Sequence, residues 1–183
     1  MYPTEKFWQQ AKSKRSVIEF GTSRWDASKP THHKEIFVLN AGAAELERYI
    51  MADITPGLDV DLVCDLHKPP EELYGRFDCF LAASVWEHLK KPWVCAERVW
   101  DLLRPGGIFL VTTHQTFPIH GYPHDYFRFT KEALHSCFDT RPWAELEGWS
   151  GHECSIIPLT NVMPVWNFEA KGHIQSVIYG RKP

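Results

Sequence analysis

The sequence predicts an open, doubly wound α/β sheet, and three observations carry that reading. Apolar runs of strand length recur along the chain, they are continuous rather than alternating, and helix signals lie between some of them. The runs are "SVIEFG" (16–21), "YIMADI" (49–54), "VDLVCDL" (60–66), "FDCFLAAS" (77–84) and "GIFLVTT" (107–113). A strand apolar at successive positions is buried on both faces, as in a parallel sheet covered by helices on each side. The 183 residues suffice for one domain with a proper core, and no repeat or low-complexity linker divides 1–183.

Each element has its own signal. "TEKFWQQAKSK" reads as a short first helix, and "SVIEFG" as the first strand. "IFVLNAGAAELE" (36–47) looks like the start of a nucleotide site, an apolar run closing on small residues and a glycine. If it were a strand followed by "YIMADI", only Ala43 to Arg48 would join the two, and a parallel crossover needs about a dozen residues or more. With "SVIEFG" first, Thr22 to Arg48 is ample, and "HHKEIFVLNAGAAELE" becomes mostly the crossover helix, with Gly42 as a weakness or bend. "KKPWVCAERVWDLLRPGG" is the clearest helix: Pro92 suits its first turn, Trp93, Ala96, Trp100 and Leu103 share one face, and Pro105-Gly106-Gly107 stops it. Thr130 caps "KEALHSCF", with Glu132 in its first turn. Trp86, Trp93 and Trp100 read as packing residues rather than a platform for bases, and Lys90-Lys91 as a solvated helix start.

Composition narrows the function. With 44% hydrophobic and 23% charged residues the chain is of the globular, ordered kind. A net charge of −3 argues against a nucleic-acid partner held by bulk electrostatics. The cysteines, Cys64, Cys79, Cys95, Cys137 and Cys154, are odd in number and lack a C-x-x-C pair, so they read as small hydrophobes in a reducing compartment. "MYPTEKFWQQAKSKR" has no apolar signal core and no run reaches membrane-spanning length, so the expectation is a cytoplasmic protein with no membrane partner.

In a doubly wound sheet the ligand lies beyond the carboxyl ends of the strands. Those ends carry a pattern here: Gly21-Thr22 after the first run, Asp53 and Asp65 ending the second and third, and small residues followed by Glu87-His88 after the fourth. Either aspartate alone is an ordinary strand-end residue. The two in register, downstream of Gly21, point to a ribose and adenine site.

From Ser16 to Phe138 the chain resembles the class I S-adenosylmethionine-dependent methyltransferases, through "VIEFGT", "ADI", "CDLH", "FDCFLAASVWEHLKKP", "RPGGIFLVTT" and "HGYPHDYFRFT". The resemblance implies S-adenosyl-L-methionine as cofactor and a mostly parallel, Rossmann-like sheet of seven strands whose last hairpin adds one antiparallel strand. It places Glu19, Gly21 and Thr22 along the methionine part, Asp53 at the ribose, Asp65 and Leu66 at the adenine, and Ala83 and Ser84 beside the sulfonium, with Ile54 a further cofactor contact. It also makes "CSIIPL" (154–159) and "HIQSVIYG" (173–180) the last two strands, joined by "TNVMPVWNFEAKG". The chain departs from the family in its loop "EFGTSRW", with one glycine where two or three are usual, and in lacking a helical cap beyond the short first helix.

"THQTFPIHGYPHDYFRFT" (113–130) leaves the fifth strand on the cofactor side and is the richest chemical stretch. A methyl acceptor that is a hydroxyl must lose a proton, and histidine titrates near neutral pH. His114 and His124 are the candidate bases, with His88 a third, and His88, His120, Tyr122, Asp125, Tyr126 and Arg128 are candidate substrate contacts. Asp125 and Arg128 equally read as a pair that locks the loop to the core. His120 and His124 lie four apart, as metal ligands on a helix would, but Gly121 and Pro123 spoil the helix that would align them, so no metal is expected.

The leading expectation is a methyltransferase for a small-molecule acceptor of sugar or secondary-metabolite type, O-methylation slightly ahead of N- or C-transfer. The alternative is a cofactor-binding, methyltransferase-like partner subunit without independent catalysis. A homo-oligomer or a partner subunit would then cover the open substrate side. A nicotinamide oxidoreductase is disfavoured, since no G-x-G-x-x-G follows any strand.

Overall fold

The structure, a computed structural model, describes residues 3–23, 33–41, 46–121, 124–156 and 171–183. In chain order it contains α1 (Pro3–Ala11), β1 (Ser16–Phe20), α2 (His33–Ala41), β2 (Arg48–Asp53), β3 (Leu62–Val63), β4 (Phe77–Ala83), α3 (Pro92–Leu102), β5 (Leu103–His114), α4 (Lys131–Phe138), β6 (Glu145–Cys154) and β7 (Gly172–Arg181). The strands form one seven-stranded sheet in the order β3-β2-β1-β4-β5-β7-β6. β1 pairs in parallel with both β2 and β4, so the chain reverses its direction of travel across the sheet between them. Only β7 runs antiparallel, between β5 and β6. The expected sheet, mostly parallel with an antiparallel strand from the last hairpin, is the one observed.

The two faces of the sheet carry separate cores. Ile18, Phe20, Ala52, Phe80, Ala82, Phe109, Val111 and Ile178 pack on α3 and α4 through Cys95, Ala96, Val99, Leu102, Leu134, Cys137 and Phe138. Residues of the opposite parity, among them Val17, Cys79, Leu81, Ile108, Leu110, Val177 and Tyr179, pack on α1 and α2 through Phe7, Ala11 and Phe37. This division explains the continuous apolar runs: β1 is buried at every position.

"IFVLNA" (36–41) is helical, as the crossover argument requires, and α2 is described to Ala41. Gly42 itself, like Tyr122 and most of "TNVMPVWNFEAKG", lies outside the described residues. Thr130 caps α4, its hydroxyl accepting from the Ala133 amide at 3.1 Å. All five cysteines are free. No helix among the described residues is long and apolar enough to cross a membrane.

Several boundaries differ from expectation for physical reasons. The buried face of α3 is Pro92, Cys95, Ala96, Val99 and Leu102, while Trp93 is 51% exposed, so the expected face was rotated by about one residue. Trp86 and Trp100 do pack: Trp86 stacks on Phe138 and Trp100 meets Trp143 edge-on. "RPGG" does more than stop the helix. It is the irregular start of β5, where Gly106 takes φ +74° and the register with β4 shifts between Phe77 and Cys79. β3 is far shorter than "VDLVCDL", because the Asp61 carboxylate takes the Met51 amide and the ladder begins only after it. The sixth strand is Glu145–Cys154, which takes only Cys154 of "CSIIPL"; Ser155 and Ile156 follow it, and 157–159 lie outside the described residues. It is an edge strand and needs no continuous apolar run, which is why "ELEGWSGHEC" carried no strand signal.

Candidate active site

At the ends of β1 and β2 the geometry is held by backbone. Gly21 has φ +84°, and a Cβ there would meet Val85 Cγ2 at 2.3 Å, so the position demands glycine on two counts. The Gly21 amide donates to the Ala52 carbonyl at 3.0 Å, and the Thr22 hydroxyl donates to the same oxygen at 3.2 Å. One Asp53 oxygen accepts from the Ser23 amide at 2.9 Å, and the other from the amide and hydroxyl of Thr55 at 2.9 and 3.0 Å. A carboxylate offers about four acceptor positions, so one remains open. Ser23 and Thr55 were not singled out in the sequence, though the offset of two between Asp53 and Thr55 is an ordinary Asx-turn signal.

The other expected cofactor residues sit differently. Glu19 is buried at 2% exposure and faces α2, where Tyr49 donates to it at 2.6 Å and His33 Nδ1 lies 2.5 Å away. That bond raises the His33 imidazole above its usual value. Asp65 lies past the end of β3 and accepts from the amide and ring of His67 at 2.9 and 2.7 Å. Leu66 is in the core at 3% exposure, whereas Ile54 is 54% exposed. Ala83 ends β4, and Ser84 follows with φ +55°, its amide bonded to the Thr112 carbonyl at 2.9 Å.

At the ends of β4 and β5 the geometry is held by side chains. Register brings Ala83 opposite Thr112, so the turn after β4 lies against the last residues of β5. Glu87, fully buried, is the centre. Its Oε2 accepts the Thr113 hydroxyl at 2.6 Å. Its Oε1 faces His114 Nδ1 at 2.7 Å, His120 Nε2 at 3.8 Å and His88 Nε2 at 3.9 Å. Burial pushes the His114 imidazole below its usual value, against the opposing pull of Glu87. His114 also stacks on Phe117 at 4.2 Å.

The loop beyond β5 closes over this group. Arg128 grips both Asp125 oxygens, at 2.5 and 2.7 Å, and donates to the Phe117 and Pro118 carbonyls at 3.0 and 2.9 Å. The guanidinium holds the Asp125 carboxyl well below the usual carboxylate range. Asp125 in turn accepts from the His120 amide at 2.8 Å, and the Tyr126 amide donates to the Glu87 carbonyl at 2.7 Å. Asp125 and Arg128 therefore do what the pairing reading expected of them and lock the loop. His124 contributes its carbonyl to His88 Nδ1 at 2.6 Å, while the residue is exposed. The geometry thus gathers His88, His114 and His120 and leaves the His124 ring apart. Glu87, noted in the sequence only as part of the strand-end pattern, is the member to which no role was assigned. Its signal was a carboxylate inside "SVWEHL", next to a tryptophan of the core.

Residues 31–111 match the family model of a methyltransferase domain. That match covers somewhat less than half of the chain. The matched stretch runs from α2 into β5 and includes Asp53, Asp65, Ala83, Ser84 and Glu87. No curated protein matches the chain in sequence. Among solved structures it is similar to an S-adenosylmethionine-dependent methyltransferase from Archaeoglobus fulgidus, with 13% identity, 97% of this chain and 90% of that one covered, and a TM-score of 0.64. It is similar to the 1,6-didemethyltoxoflavin-N1-methyltransferase of Burkholderia thailandensis, solved with 1,6-didemethyltoxoflavin and S-adenosylhomocysteine bound (14% identity, 98% and 76% covered, TM-score 0.60). It is also similar to a putative methyltransferase solved in complex with the Haloferax volcanii Trm112 methyltransferase activator (13% identity, 98% and 89% covered, TM-score 0.55). At such identities the likeness is one of fold.

Proposed function

We propose that this chain is a methyltransferase that transfers the methyl group of S-adenosylmethionine to a hydroxyl of a small molecule, of sugar or secondary-metabolite type. The cofactor lies across the ends of β1 and β2, with Gly21 and Thr22 at its methionine part and Asp53 at its ribose. The acceptor enters at the ends of β4 and β5. The observation that carries this reading is the buried Glu87 set against His114, with His120 and His88 beside them. A neutral amine attacks a sulfonium with its own lone pair and needs no base. A hydroxyl must give up its proton, and a carboxylate–imidazole group at the acceptor side suits that task. The sulfonium is already activated, so the remaining work is alignment of oxygen, methyl carbon and sulfur. The Burkholderia relative acts on a small heterocycle, which supports the substrate size. A cytoplasmic location fits the free thiols.

The test pairs acceptors that differ only in hydroxyl against amine, with S-adenosylhomocysteine release as the readout. Turnover of the hydroxyl member, rising with pH, is expected. Turnover confined to amines would overturn the O-transfer reading.

One observation favours a second reading, that of a cofactor-binding partner subunit. α2 exposes Ile36, Val38 and Leu39 at 46, 38 and 81% while burying Phe37. Such a patch suits a partner chain, and one relative was solved with an activator subunit. Light scattering of the isolated chain, together with its turnover, separates the two: a monomer that binds cofactor and turns nothing over supports the subunit.

A further inference from the structure

Glu87 Oε1 and His114 Nδ1 are both fully buried, and neither has a hydrogen-bond partner among the described residues. Their 2.7 Å separation lies outside hydrogen-bond geometry. Leaving such atoms unsatisfied costs about 1–3 kcal/mol each, more for a charged group. The surroundings make the problem sharper. His88 Nδ1 lies 2.6 Å from the His124 carbonyl, which only accepts, so Nδ1 carries the proton. His120 Nδ1 lies 3.2 Å from Asp125 Oδ2 and 3.2 Å from the Pro118 carbonyl, both acceptors, so it too carries the proton. In the neutral imidazoles each Nε2 then presents a lone pair. Those two lone pairs stand 3.9 and 3.8 Å from the carboxylate oxygen that His114 also faces. Lone pairs gathered around a buried carboxylate oxygen repel one another unless a cation lies among them.

We propose that Glu87, His114 and His120, with His88 in reach as a fourth ligand, hold a divalent transition-metal ion of the Zn²⁺ type. The ligand atoms of Glu87, His114 and His120 all lie within 4.8 Å of one another. Bonds of about 2.0–2.2 Å to a shared ion put ligand atoms roughly 3–4.4 Å apart, so the site closes with sub-ångström shifts and a slight opening of the Glu87–His114 pair. The outer contacts have the form that metal sites use. Asp125 receives the far N–H of His120, and the Thr113 hydroxyl occupies Glu87 Oε2 and turns Oε1 inward. Imidazoles with one carboxylate favour zinc-type ions, whereas Mg²⁺ takes oxygen ligands. The pair weighed in the sequence, His120 with His124, is not the one that meets. His120 meets Glu87 and His114 instead.

The catalytic consequence rests on the methyltransferase reading. An acceptor hydroxyl that takes the fourth position in place of His88 becomes acidic enough to release its proton to water. The resulting alkoxide forms the O–C bond to the methyl group as the C–S bond breaks, and the electron pair stays on sulfur, turning the sulfonium into a thioether.

The test titrates chelator-treated chain with ZnCl₂ and, separately, MgCl₂ by calorimetry, and measures S-adenosylhomocysteine binding on the same samples. One equivalent of Zn²⁺ and no matching uptake of Mg²⁺ are expected. Glu87→Gln and His120→Gln remove the Zn²⁺ isotherm, Asp125→Asn weakens it about 10–100-fold, and His135→Gln on α4 leaves it intact. His120 is partly exposed, so its variant folds even if that of Glu87 does not, and circular dichroism checks each. Folded wild type that takes up no more Zn²⁺ than His120→Gln overturns the site. Should it bind S-adenosylhomocysteine all the same, the methyltransferase reading stands without the metal. Zn²⁺ uptake without S-adenosylhomocysteine binding keeps the metal site and removes the catalytic reading.

Discussion

The two halves of the site are built on different principles. At the ends of β1 and β2, position is set by backbone: a left-handed glycine, amides aimed at Asp53, and a carbonyl shared by Gly21 and Thr22. At the ends of β4 and β5, position is set by side chains that satisfy one another: Glu87 by Thr113, His120 by Asp125, Asp125 by Arg128. A backbone site is general and suits a cofactor common to many enzymes. A side-chain site can be rebuilt residue by residue and suits an acceptor that differs from one enzyme to the next.

Substitutions can break this division or sharpen it. The largest effect is expected at His114. His114→Gln should lower turnover about 10²–10⁴-fold with cofactor affinity barely changed, and His124→Gln should cost far less because its ring stands apart from Glu87. Equal losses in the two variants, measured by S-adenosylhomocysteine release, would dissolve the contrast. Next comes Gly21→Ala. The added Cβ collides with Val85 and forces a left-handed alanine, a cost of about 1–3 kcal/mol, so weakened cofactor binding and a lowered denaturation midpoint are expected, with partial recovery in Gly21→Ala/Val85→Ala.

Asp53→Ala should weaken cofactor binding by about 1–3 kcal/mol through one charged hydrogen bond. Calorimetry on the folded variant checks this, and unchanged affinity removes Asp53 from the ribose. The smallest effect concerns His33, whose bond to Glu19 raises its imidazole. A raised imidazole stabilises the fold below its ordinary value of 6.5 and loses that contribution as pH climbs through the raised one. Denaturant unfolding of His33→Gln should therefore show a deficit relative to wild type below 6.5 that closes as pH climbs through the raised value. A deficit of the same size below and above that range would mean that the ring serves by packing alone.

The same contrast governs what could be read before the fold was known. Strand ends follow from apolar runs, so Gly21, Asp53 and Ser84 were legible from position along the chain, and crossover length alone turned "IFVLNA" from a nucleotide loop into α2. The side-chain half is assembled by register. Glu87 and Thr113 are separated by 26 residues and meet only because β4 and β5 are neighbours, a relation that no local spacing encodes. The edge strands were the least legible, since exposure removes the apolar pattern on which strand reading depends: β3 shrank to Leu62–Val63 and β6 rose from a polar stretch. Trp93 shows the remaining error, a helix face misjudged by about one residue, which turns its side chain out to solvent.

The first helix of the chain has an unusual timetable. α1 packs against β5, β7 and β6, and Lys6 reaches Glu145 at 2.7 Å and Glu147 at a separation of 141 residues. Its apolar residues, Phe7 and Ala11, have no finished surface to cover until Val177 and Tyr179 arrive on β7. On a ribosome that makes about 5–20 residues per second, α1 emerges early and waits several seconds for its seat. During that interval its amphipathic face is open to chaperones, and its docking reports that the far end of the sheet has been laid down. A label on α1 would time the completion of folding rather than its beginning.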